Sequence, residues 1–186
     1  VPADAVTPGV SIEADAAVAT QGGVVAAVQT ADCLPVLFAD AAGRGVGAAH
    51  AGWRGLAAGV LQATAQGLRG AIGDPGAHVV AWLGPAIGPE EFEVGDDVLD
   101  AMAAALPRVH AAFVRHAAGK YRADLYALAR LALAQAGVDD EHGGGACTYC
   151  DAARYYSHRR AQPTGRQATL IWLDGPDPEH RDASRV

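Results

Sequence analysis

Apolar residues fall along this chain in short runs separated by glycine, proline and aspartate, and a few stretches carry helical spacing. Gly22 to Val28 (GGVVAAV) is short and Val-rich and reads as a buried strand. Leu34 to Ala39 is a second strand, with Pro35 near its start where a missing N–H is tolerated. Asp40 to Arg44 is a turn, and Val46 to His50 returns as the partner strand of a hairpin. Leu56, Val60, Leu61, Thr64 and Leu68 then predict a helix over 56–68, with Gly67 and Gly70 weakening its end. Val79 to Leu83 is a strand, and Gly84 to Gly95 is an irregular loop with two Gly-Pro corners. Asp96 to Leu106 is helical, with Asp96 or Asp97 as its cap. The clearest helix is Asp124–Ala136, whose stripe of Leu125, Leu128, Ala129, Ala132, Leu133 and Ala136 is stopped by Gly137. Gly143 to Gly145 is a loop, and Ala168 to Leu173 a last buried strand. Strands and helices mix without strict alternation, which predicts one α/β domain on a mixed sheet.

Composition narrows the picture. With 186 residues, 51% apolar and 19% charged, the chain suffices for one domain with a real core. A net charge of −7 argues against nucleic-acid binding through a basic surface, and no apolar run is long enough for a membrane span. Three cysteines, two of them three positions apart, make no disulfide framework and point to a reducing, cytoplasmic setting. The chain opens Val1-Pro2-Ala3-Asp4 without methionine or a signal-peptide pattern, so a trimmed N-terminus is expected; residues 174–186 read as a polar, frayed tail.

Two constellations carry chemistry. Cys33, within Thr30-Ala-Asp32-Cys33, ends one side of the hairpin, and His50, within His50-Ala-Gly-Trp-Arg54-Gly, ends the other. Hairpin pairing places them close together, and thiolate with imidazole suits zinc or copper, or a cysteine nucleophile with its base. Either residue alone would more often be packing. The second constellation is Cys147-Thr-Tyr-Cys150 followed by Arg154-Tyr-Tyr-Ser-His-Arg159-Arg160 and Thr164-Gly-Arg166. One CxxC without a second is weak evidence for zinc. The arginines and tyrosines are equipped to hold an anion and stack a base, or are a solvated edge paired with acidic surface. Glu90, Glu91 and Glu93 are candidate acid/base groups, or simply solvent-facing, and the loop that carries them lacks phosphate-loop spacing.

Taken together, ThrAlaAspCys (30–33), HisAlaGlyTrpArgGly (50–55), GlyProAlaIleGly…PheGluValGly (84–95), AspLeu…LeuAlaArg (124–130), CysThr (147–148) and the 154–173 segment resemble the bacterial laccase-domain proteins. These are also called multicopper polyphenol oxidoreductases or the YfiH group. The resemblance implies a four-layer α/β/β/α sandwich over residues 1–173, lacking the family's N-terminal part. It implies one metal, usually zinc with copper possible, held by a His–Cys–His set in which Cys33 and His50 match the last two. The first histidine lies upstream in the family, and Val1–Gln21 contains none. The implied activity is a purine nucleoside phosphorylase that also takes methylthioadenosine and deaminates adenosine, although members were first described as laccases. On that reading Cys33, His50, Arg54 and Asp32 are catalytic, Arg54 taking phosphate and Asp32 orienting, while Arg154 and Arg159 bind substrate at the rim. The expected partners are purine nucleosides and phosphate, not nucleic acid or membrane, for a monomer or homodimer. Copper-dependent phenol oxidation is the rival; seven histidines without a His-X-His pair speak against it. A metal-free Cys–His hydrolase or deamidase, or a binding module without catalysis, are the others.

Overall fold

A computed structural model describes residues 1–2 and 13–175. Most of the predicted tail, 176–186, lies outside the described residues. The hairpin forms as expected: β3 (Leu34–Asp40) pairs antiparallel with β4 (Val46–Ala51), Pro35 facing His50 and Leu34 facing Ala51. Its turn is locked by Asp40, whose carboxylate accepts from Arg44 Nε at 2.7 Å and Nη2 at 3.0 Å. β1 (Ala16–Ala19) flanks β4, β5 (Val79–Leu83) flanks β3, and β9 (Asp140–Gly143) adds parallel to β5. Five strands in the order β1-β4-β3-β5-β9 result, and β9 falls partly where the sequence predicts a glycine loop.

The predicted helix over 56–68 is broken in two: α1 (Trp53–Ala57) and α2 (Val60–Ile72). Between them Gly59 takes a left-handed φ of 81°, which ends one helix and turns the chain into the next. Gly67 and Gly70 do not end α2, because Leu61, Ala65 and Leu68 are buried and packing outweighs the small propensity loss. α3 (Asp96–Ala105) is capped by Gly95, without a side-chain cap; Asp96 and Asp97 lie in its first turn, where they complement the macrodipole. α4 (Leu125–Gln135) is capped by Asp124, which accepts from Tyr126 N at 2.9 Å and Ala127 N at 3.1 Å. Its stripe of Leu128, Ala129, Ala132 and Leu133 is fully buried in the core that Val36, Phe38, Ala81 and Leu83 contribute from the sheet.

The remaining strands were less legible. β2 (Val25–Thr30) pairs with β10 (Gln167–Trp172) across most of the chain's length. Both were expected buried, yet burial alternates along each, with Ala26 inside and Val25, Leu170 and Trp172 exposed. The two strands form a ribbon that lies on β3 and β4 with one face only. Helices, five-stranded sheet and ribbon thus make three layers among the described residues, and the fourth layer of the expected sandwich is not seen there. β6 (Glu93–Gly95), β7 (Phe113–Ala117) and β8 (Lys120–Ala123) form a small separate sheet beside α3. The described helices include none long and apolar enough to cross a membrane.

Candidate active site

Continuing the β3–β4 register one step past Leu34 and Ala51 sets Cys33 opposite Gly52, on the same sheet face as Pro35 and His50. Glycine at 52 is a spatial need, since its φ of −70° suits any residue. A Cβ there would stand 2.9 Å from Cys33 Sγ and 3.9 Å from His50 Nε2. Sulfur and imidazole therefore border one small space that a side chain would fill. Burial pushes the Cys33 thiol up, Asp32 and Asp15 add to this, and Arg166 opposes it. A metal-free thiolate nucleophile would need the opposite environment.

This pair forms part of the wall of a cleft of about 450 Å³. Asp15, Asp32, Cys33, His50, Arg54, His158 and Arg159 bring polar groups to it, and Trp53, Ile87 and Phe92 bring apolar surface. Arg54 lies over the Trp53 ring at 4.3 Å, and Arg159 over Phe92 at 5.7 Å. Asp32 knits three segments together. Its Oδ1 accepts from the buried Thr148 hydroxyl at 2.7 Å, its Oδ2 from Arg159 N at 2.7 Å, and its carbonyl from Ile87 N at 2.9 Å. To do so it holds a φ of 89°, a strained value for a residue with a side chain.

The cleft brings together Cys33, His50, Asp32, Arg54 and Arg159. Arg154 is not among its lining residues: it pairs with Asp151 and lies over Tyr155. Arg160 is also spent elsewhere, its guanidinium donating to the carbonyls of Thr148, Tyr149 and Tyr155 at 2.6, 2.6 and 2.7 Å. Most of that basic segment is structural. The loop 84–95 serves the cleft through Ile87 and Phe92, and none of Glu90, Glu91 and Glu93 lines it. Asp15, Trp53, Phe92 and His158 were the residues missed. Trp53, Phe92 and His158 stood inside motifs already noted; Asp15 carried no local signal.

The donor chemistry of Cys33 and His50 suits zinc or copper, and the space kept open by Gly52 suits an ion beside both. These supply two ligands, and among the described residues no group of three His, Cys, Asp or Glu is arranged to hold a metal.

Comparison with known proteins bears on the same residues. A purine nucleoside phosphorylase of Pseudomonas aeruginosa is 53% identical over 163 residues, covering 87% of this chain and 66% of that protein. Purine nucleoside phosphorylase YfiH of Escherichia coli is 50% identical over 166 residues, covering 89% and 66%. The chain thus spans 66% of the length of these relatives. The crystal structure of a Neisseria meningitidis DUF152 protein superposes with a TM-score of 0.83 at 51% identity, over 90% of this chain and 68% of that one. The hypothetical protein YfiH of Bacillus licheniformis does so with 0.81 at 32% identity, over 86% and 61%. Residues 2–174 match the family described as multi-copper polyphenol oxidoreductase laccase, and the chain belongs to that family.

Proposed function

We propose that this chain carries the catalytic cleft of a zinc-dependent purine nucleoside phosphorylase that takes adenosine, inosine and methylthioadenosine and also deaminates adenosine. The observation that carries the reading is the convergence of Cys33, His50, Asp32, Arg54 and Arg159 on one cleft with aromatic walls. Relatives sharing about half of its residues bear the phosphorylase name. The volume of about 450 Å³ lies within the ordinary range of small-molecule sites.

Each side chain has a task. Trp53 and Phe92 offer flat apolar surface to a purine and keep water from it. Arg54, exposed and without a carboxylate partner in any described ion pair, takes phosphate and presents its oxygen to ribose C1′. As the C–O bond forms, the C1′–N9 bond breaks, and the purine leaves with the electron pair and takes up a proton. Arg159 steadies the departing base from the rim, and Asp32 orients the Arg159 backbone. Zinc held by Cys33 and His50 with a further donor would supply Lewis acidity and acidify water beside the base, the chemistry deamination requires. Purine nucleosides, phosphate and three free cysteines suit a cytoplasmic protein.

The test feeds purified protein adenosine and phosphate and follows adenine and ribose 1-phosphate. Cys33→Ala is expected to abolish turnover with the fold kept. If that variant turns over at the original rate, the assignment is wrong. Copper-dependent phenol oxidation is the second reading, favoured because a Cys–His pair accepts copper as readily as zinc. It predicts that copper loading produces phenol turnover consuming O2 and that zinc loading does not.

A further inference from the structure

A second cavity, of about 490 Å³, shares no lining residue with the cleft. Gly88, Glu90, Tyr126, Arg130, Cys147 and Cys150 are among its walls. The nucleoside reading makes no use of it, nor of the two thiols of the Cys-Thr-Tyr-Cys sequence that opens into it, although Thr148 between them bonds to Asp32 of the cleft. The turn that begins at Cys147 is closed by Asp151 N bonding to the Cys147 carbonyl at 3.0 Å, which brings Cys150 back beside Cys147. Cys147 Sγ accepts N–H groups from Gly88 and Cys150, each at 3.3 Å. Glycine at 88 leaves room for that approach: a Cβ on it would stand a tight 3.1 Å from both Cβ and Sγ of Cys147. Two backbone donors aimed at one sulfur form a preset anion cradle. Cys147 is half-buried and Cys150 exposed, with the Glu91 carboxylate 4.0 Å from its sulfur.

The electrostatics separate the two thiols. Burial pushes Cys147 up, but hydrogen bonds from the Cys150 thiol and from the N–H groups of Cys150, Gly88 and Tyr149 outweigh it and hold this thiol below its ordinary value. Cys150 is pushed up to about 11 by its hydrogen bond to Cys147, then by burial and the charges of Cys147 and Glu91. The Cys147 thiol thus gives up its proton more readily than the Cys150 thiol beside it.

We infer that Cys147 and Cys150 form a redox-active dithiol whose oxidant is a small neutral hydroperoxide, Cys147 attacking and Cys150 resolving. In the first step the Cys147 thiolate attacks the terminal oxygen and the O–O bond breaks. The leaving alkoxide takes a proton and departs as alcohol (water, for hydrogen peroxide), and Cys147 becomes a sulfenic acid. In the second, Cys150 sulfur attacks Cys147 sulfur; the sulfenic oxygen leaves as water with the Cys150 proton, and a disulfide remains. The peroxide gains the two electrons that the dithiol loses. A neutral oxidant is specified because Glu90 and Asp124 line the cavity and Glu91 stands beside Cys150, three carboxylates against Arg130 in the lining and the Arg160 charge near Cys150, which disfavours an anionic disulfide such as oxidised glutathione.

The experiment treats the fully reduced protein with hydrogen peroxide, counts free thiols and maps them by peptide mass. The chain's three cysteines are all free in the reduced form. The expected result is a fall from three thiols to one, with a Cys147–Cys150 peptide lighter by two hydrogens that dithiothreitol restores. Oxidation is expected at least about tenfold faster than for free cysteine at the same pH. Cys150→Ser, a change at an exposed position, is expected to keep the melting temperature and to stop at a sulfenic acid on residue 147 that dimedone traps. Cys147→Ser is expected to leave Cys150 unoxidised. Equal reactivity of Cys150 in that variant, preferential oxidation of Cys33, overoxidation of Cys147 without a disulfide, or a rate no higher than free cysteine would each overturn the inference. None of these readouts involves nucleoside turnover.

Discussion

Asp32 is the most informative residue to perturb, because its carboxylate and its backbone make separable contributions. Asp32→Ala removes the acceptor for Arg159 N and for the Thr148 hydroxyl, and leaves that hydroxyl unpaired at a fully buried position. Hydrogen bonds to a charged group are worth about 1.5–3 kcal/mol each, and with Asp32 half-exposed the pair is placed near the lower end, about 3 kcal/mol together. Asp32→Gly loses the same two bonds but accepts a φ of 89° without steric cost. Strain at such a position amounts to at least about 1 kcal/mol, so the glycine variant should be more stable than the alanine variant by about that much. Elsewhere glycine is ordinarily the worse of the two, and the inverted order is the signature sought. Urea unfolding of the three proteins, compared at equal m-values, measures both quantities. An alanine variant as stable as the glycine one would refute the strain argument. A loss below about 1 kcal/mol in both would refute the carboxylate's part in holding the cleft.

Three further outcomes are expected. Gly52→Ala should displace the Cys33 sulfur, cost about 1–3 kcal/mol on thermal unfolding and weaken zinc uptake by at least about tenfold in a metal-competition titration; unchanged uptake would remove Cys33 from the metal site. Arg54→Ala should raise KM for phosphate at least about tenfold while costing no more than about 1 kcal/mol of stability, since the side chain is exposed and loses only its contact with the Trp53 ring; an unaltered phosphate KM under steady-state assay would move the anion site elsewhere. Asp40 is held at about 2, against 3.8 ordinarily, first by its side-chain hydrogen bond with Arg44. Its lowered value means that its stabilisation is complete above the unfolded value and drains away as pH falls through about 2. Asp40→Asn should therefore show a smaller loss of melting temperature between pH 4 and 2 than the unaltered protein, and parallel melting curves would contradict this.

Local features were read from the sequence wherever a contact was local. The β3–β4 hairpin was legible because two short apolar runs flank one tight turn over Asp40–Arg44. α4 was legible because cap, stripe and stop all lie within one stretch of chain. The predicted helix over 56–68 failed at Gly59, where the left-handed turn that aims α2 at the sheet overrides a continuous apolar stripe. Half of the candidate site was legible for the same reason: Cys33 and His50 meet through hairpin pairing. Arg154 was indistinguishable from Arg159 in sequence, and only their neighbours separate them, an aspartate three residues back for one and the cleft for the other.

By itself the sequence determined the β3–β4 hairpin, α4, the Cys33–His50 meeting and the family, since these follow from periodicity, short turns and ordered motifs. The tertiary structure alone decided that β2 and β10 join across the chain, that Asp32 serves as the tie between Thr148, Arg159 and Ile87, and that the Cys147 sulfur rests on the Gly88 amide. Such contacts span from 55 to well over one hundred residues, and no local pattern encodes which distant partner a polar group will find. Burial decides it, because a buried donor or acceptor left unpaired costs more than the chain entropy of bringing its partner home.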